Sequence, residues 1–96
     1  MELTIFARFR ARQGDESELA CVLREQVAQV RAEPGCLEIA AFGATRDSRL
    51  YFIHSRWSCE AAFEIHAELT NTNAILARVQ ALIDHPLDVT RTRAIG

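Results

Sequence analysis

Between Leu3 and Ala11 the chain alternates: Leu3, Ile5, Ala7, Phe9 and Ala11 fall on one side of an extended backbone, Thr4, Phe6, Arg8 and Arg10 on the other. That period of two predicts a first strand. Gly14 breaks it, and Asp15 with Glu18 has the spacing of a capping box at a helix start. Leu19, Val22, Leu23, Val27 and Val30 then recur at helical spacing, predicting a helix with one apolar stripe that must be buried. Glu33-Pro34-Gly35 ends it, because proline disfavours helical geometry before it and glycine permits a tight turn. A second strand is expected from Cys36 to about Thr45 and a third from Arg49 to Trp57, joined at Arg46-Asp47-Ser48 as a hairpin. Ser58 stands where it can cap a second helix, along one side of which lie Ala62, Phe63, His66 and Leu69. Thr70-Asn71-Thr72-Asn73 interrupts or restarts that helix. A third helical stretch carries Ile75, Leu76, Val79, Leu82 and Ile83, stops at Asp84-His85-Pro86, and gives way to a last strand from Leu87 to about Ile95.

The order β-α-β-β-α-β, with an extra helical piece, is that of an α+β ferredoxin-like domain spanning residues 1–96: a four-stranded antiparallel sheet with its helices on one face. The other face would carry Phe6, Phe42, Tyr51, Ile53 and Trp57, or the register-equivalent set. A patch of that extent calls for cover, and a second copy of the chain is the simplest one, so a homodimer is expected.

Composition narrows the classes. With 49% hydrophobic and 25% charged residues the chain has the balance of a globular protein. A net charge of −2 leaves no basic stripe for a nucleic-acid backbone. No apolar run approaches the roughly 18 residues of a membrane span. No leader precedes the first strand, and Cys21, Cys36 and Cys59 form no C-x-x-C, so a reducing cytoplasm is the expected location. Glycine-rich nucleotide loops and a G-x-S-x-G elbow are missing from the sequence.

Several segments resemble the antibiotic biosynthesis monooxygenase domain family, the dimeric α/β-barrel group that includes quinol monooxygenases. They are Phe6-Ala7-Arg8-Phe9, the acidic helix start Gly14-Asp15-Glu16, the turn Glu33-Pro34-Gly35-Cys36-Leu37, and above all Trp57-Ser58-Cys59-Glu60-Ala61-Ala62-Phe63-Glu64-Ile65-His66. The chain departs from the family pattern at Ser55, where many members have a carboxylate, and at Asn71-Thr72-Asn73, which replaces a histidine or aromatic cluster. The related haem-degrading enzymes use an asparagine, a tryptophan and a histidine at positions that here hold Ala7 or a neighbour, His66 and Leu76, so the haem reading loses its residues.

What the resemblance implies is oxygenation of a small phenolic, quinol or anthrone-like substrate by dioxygen, with no metal, flavin or other cofactor. Such chemistry needs a dry apolar pocket, one group to take the phenolic proton, and donors for the anion that forms. His66 is the first candidate base, because histidine titrates near neutral pH; a satisfied core histidine is the competing reading. His54 is the second, if its ring faces the helices and approaches the same cavity. Trp57 is a candidate pocket wall or else core and interface filling, Phe63 and Phe6 are further ring contacts, and Asn71 and Asn73 are either substrate donors or helix caps. Among arginines 8, 10, 56, 91 and 93 one could pair with an anionic ligand, with solvated faces and ion pairs as the alternative. Cys59, near a helix start, is either a reactive thiol or a small buried hydrophobe, and no histidine-cysteine spacing suggests a metal site. Two rival readings remain open at this point: a non-catalytic dimeric module that binds a small metabolite or a partner protein, and proton transfer on a keto or phosphorylated substrate without dioxygen.

Overall fold

Every predicted element forms, in the predicted order, in a computed structural model that describes residues 1–96. Strand β1 (Leu3–Arg10) is followed by α1 (Glu16–Val30), β2 (Cys36–Gly43), β3 (Leu50–Trp57), α2 (Glu60–Glu68), α3 (Thr70–Gln80) and β4 (Asp88–Thr92). The sheet runs β2-β3-β1-β4 with every neighbouring pair antiparallel, which is the ferredoxin-like arrangement. No helix is long and apolar enough to cross a membrane.

The core follows from the two periodicities. Leu3, Ile5, Ala7, Phe9 and Ala11 are buried, and so is the whole α1 stripe of Leu19, Val22, Leu23, Val27 and Val30. Register fixes which side the other strands present. Ile5 pairs with Ser55 and Ala7 with Ile53, so Tyr51, Ile53, Ser55 and Trp57 face the helices. Phe6 pairs with His54 and Phe42 with Phe52, so the outer face carries Phe6, Phe42, Phe52 and His54. Tyr51, Ile53 and Trp57 therefore do not belong to the outer set with Phe6, as the sequence reading had them: partners across a ladder share a face, and these three share theirs with Ile5 and Ala7.

Two expected caps do not form. Asp15 sits at φ −103° and ψ 11°, outside the extended geometry that aims a capping side chain, and makes no cap bond; instead the Glu16 carboxylate accepts from the Gly14 N–H at 3.0 Å. Ser58 is one residue too early, because Cys59 occupies the N-cap of α2. The Ser58 N–H is spent on the carbonyl of Gly35 at 2.8 Å. Between α2 and α3 the single residue Leu69 is extended, at φ −64° and ψ 144°, and turns the chain.

The outer strands β2 and β4 are the sheet's two edges. β2 is irregular between Cys36 and Glu38, and the Arg31 guanidinium lies 3.4 Å from its Ile39 carbonyl. β4 has five residues, Asp88-Val89-Thr90-Arg91-Thr92.

Candidate active site

Phe63 and His66 are three residues apart on α2, so both point from one side of that helix onto the sheet. Trp57, the last residue of β3, meets them there with no exposed surface. Its ring centre lies 4.9 Å from that of His66 and 5.7 Å from that of Phe63, and the Phe63 and His66 rings are 5.6 Å apart. Three rings thus form one wall. The buried indole needs a partner for its N–H, and Ser55, two residues back on the same strand face, accepts it at 3.0 Å. Ser55 keeps its own hydroxyl proton available to donate.

The imidazole is held from the far end of α1. Gly35 takes φ +83°, which closes the turn after that helix, and a Cβ on it would stand 2.5 Å from the Cβ of Ala62. The turn is thereby pressed against α2. From it Glu33 reaches His66, Oε1 to Nδ1, at 2.8 Å, and Thr72 Oγ1 lies 3.4 Å from the same nitrogen. A carboxylate only accepts, so Nδ1 carries the proton toward it and the neutral ring has its lone pair on Nε2. Nε2 makes no hydrogen bond within the protein, and since every fully buried side-chain nitrogen and oxygen has a partner, this nitrogen keeps some accessible surface.

A cavity of about 370 Å³ lies between the sheet and the helices. Ile5, Ala7, Ile39 and Ile53 line it from the strands, Leu23, Ile75, Leu76 and Val79 from the helices, and Trp57 and Phe63 complete the wall. Its size and apolar lining with a few convergent polar groups suit a small organic ligand. Those polar groups are Gln26, Ser55, His66, Thr72 and Arg91. Arg91, paired with Ile5 and so on the inner side of β4, lies with its guanidinium carbon 5.2 Å from the centre of the Phe63 ring. Glu60 and Glu64 both accept from its Nη1, at 2.7 and 3.1 Å, and hold its charge on still more firmly than usual.

The other candidate residues lie elsewhere. His54 does not approach the cavity: strand parity puts it on the outer sheet face, 5.2 Å from the ring of Phe6 and 3.7 Å from Glu38. Phe6 shares that face, half exposed, and cannot touch a ligand under the helices of its own chain. Asn71 and Asn73 are exposed on the first turn of α3, neither lining the cavity nor capping the helix, whose N-cap is Leu69. Arg10 pairs with Asp47 and Arg56 with Glu2, while Arg8 and Arg93 are exposed. All three cysteines are free thiols. Bonding to the Ala62 amide lowers the Cys59 pKa, and burial raises that of Cys36. No group of three or more histidine, cysteine or acidic side chains is placed to hold a metal ion.

Glu33, Thr72 and Gln26 were not singled out by the sequence. Glu33 read as part of a turn, and nothing local links it to a histidine that lies 33 residues further on.

A ferredoxin-like α+β domain with an apolar cavity, a wall of aromatic rings and a carboxylate-held histidine defines the class to which this protein belongs. Within that class, the sequence profile of the family described as antibiotic biosynthesis monooxygenase matches residues 3–78, and the chain belongs to that family. YcnE of Bacillus subtilis (strain 168), provisionally named a monooxygenase, is 24% identical over 90 residues that cover 94% of this chain and 95% of YcnE. The structure of Rv0793 from Mycobacterium tuberculosis superposes with a TM-score of 0.92 at 23% identity, covering 100% of this chain and 97% of the other. SnoaB of Streptomyces nogalater, a cofactor-independent oxygenase, superposes with a TM-score of 0.89 at 18% identity, covering 99% and 94% of the two chains.

Proposed function

We propose that the chain is a cofactor-independent monooxygenase that oxidises a small phenolic or quinol substrate with dioxygen in this cavity, His66 acting as the base. The observation that carries the reading is the His66 imidazole, its Nδ1 on Glu33 at 2.8 Å and its Nε2 uncommitted, at the wall of a mostly apolar cavity. SnoaB, a cofactor-independent oxygenase with the same fold, supports the same reaction class.

In this reading the substrate ring lies against Phe63, with the buried Trp57 ring backing that wall, and its hydroxyl proton passes to Nε2. The Glu33 carboxylate stabilises the imidazolium that forms, as the third member of a nucleophile-base-orienter set does. The hydroxyls of Ser55 and Thr72 can donate to the aromatic oxyanion, and the apolar walls keep water from competing for it. Electrons come from the substrate: a quinol and dioxygen give a hydroxyquinone and water, one oxygen atom entering the ring and the other leaving as water. The second copy of the chain is proposed to cover the outer sheet face at Phe6 and Phe42, and the protein to work in the cytoplasm as a homodimer.

Oxygen uptake by the purified protein with a panel of quinols and anthrones tests the proposal. Uptake should be measurable without added metal or flavin, and His66→Ala should lower kcat by about 10²- to 10⁴-fold. Unchanged turnover in that variant would remove His66 from the chemistry. Tight binding with no uptake would make the protein a binding module, and turnover without dioxygen would make it an isomerase or lyase.

A further inference from the structure

We infer that Glu33 is the positioning residue of this site, fixing the His66 imidazole as its Nδ1–H tautomer so that the Nε2 lone pair faces the substrate. The inference rests on the reading of His66 as the base.

Three observations carry it. The Glu33 and His66 side chains are only 16% and 10% exposed, so water competes weakly for the 2.8 Å contact between them. A bond of that length to a carboxylate is charge-assisted and stronger than one to a neutral group. Thr72, the other neighbour of Nδ1, stands at 3.4 Å, near the limit of hydrogen bonding, and cannot override it.

The backbone that delivers the carboxylate is also fixed. The Glu33 N–H donates to the Val30 carbonyl at 2.9 Å, and the Glu33 carbonyl accepts from Cys36 at 3.2 Å. Two residues on, the Gly35 carbonyl accepts from Ser58, the residue before the N-cap of α2. The turn that ends α1 is therefore bolted to the start of the helix that carries His66. A glutamate placed there is held at the ring, whereas one on a free loop would swing into solvent. This gives the Glu33-Pro34-Gly35 turn a role besides ending a helix.

Nitrogen-15 NMR of the histidine ring, at a pH where it is neutral, reads the tautomer directly and needs no substrate. The natural protein should show His66 protonated on Nδ1. Glu33→Gln, whose amide oxygen still accepts, should keep that tautomer but lose about 10-fold in kcat, with KM nearly unchanged, because the charge is gone. Glu33→Ala should lose the tautomer and about 100-fold in kcat. Adding Glu33→Ala to His66→Ala should cost nothing further, since the two act as a unit. A Glu33→Ala protein that keeps the Nδ1–H tautomer, or turns over at the natural rate while His66→Ala does not, overturns the inference. Loss of the tautomer in a protein that oxidises no quinol would uphold the positioning role and remove the oxygenase reading alone.

Discussion

An indole nitrogen with no access to water has to find an acceptor, and Ser55 is the one Trp57 finds. The position where the family resemblance led to a carboxylate thus has structural work here. Ser55→Ala should strand the indole N–H and cost about 1–3 kcal/mol, read as a lower denaturant midpoint with an unchanged slope. An unaltered midpoint would mean that the indole has another partner. At this scale the sequence was only partly legible. His66 stands on an apolar helical stripe, so its burial could be read directly. His54 could not be placed, because Phe52 and Ser55 put an aromatic ring in the outer set and a polar group in the inner set of β3, blurring the alternation that assigns faces. Glu33 was invisible as a site residue because its partner is brought to it by the fold alone.

Elements were more legible than residues. The α1 stripe and the β1 alternation are long enough for their periods to be unmistakable, and both are buried as read. Caps failed because they depend on φ and ψ at one residue, which composition does not fix: Asp15 and Ser58 are suitable types in unsuitable conformations or one position out. The close approach of Gly35 to Ala62 gives a prediction at this scale. Gly35→Ala combines an unfavourable positive φ with a clash and should destabilise by about 1–3 kcal/mol, as equilibrium unfolding would measure. If stability stays within experimental error, the turn can move off α2. The break at Leu69 matters equally. Thr72 follows His66 by six residues, about 600° of rotation in one continuous helix, which would put the two on different sides of it. The extended residue swings α3 back, and Thr72 comes within 3.4 Å of the imidazole.

For the whole molecule the sheet has one face under helices and one bearing Phe6 and Phe42, each about half exposed. The proposed second copy would cover them. Replacing both by lysine puts like charges across a two-fold interface, so the Phe6→Lys, Phe42→Lys variant should sediment as a monomer at micromolar concentration while the natural chain sediments as a dimer. A folded monomer for the natural chain would remove the second copy from the proposal. That the outer face carries Phe6 and Phe42 was legible in the sequence, whereas the rest of its membership was settled by ladder register. The edges of the sheet bear on how far self-association can run. With β2 distorted and partly blocked by Arg31, and β4 short and polar, neither rim offers a long, flat run of unpaired amides and carbonyls to an incoming strand. In the proposed assembly copies would stack face to face and stop at a closed number, while the rims disfavour templating one another edge to edge into an open-ended fibril.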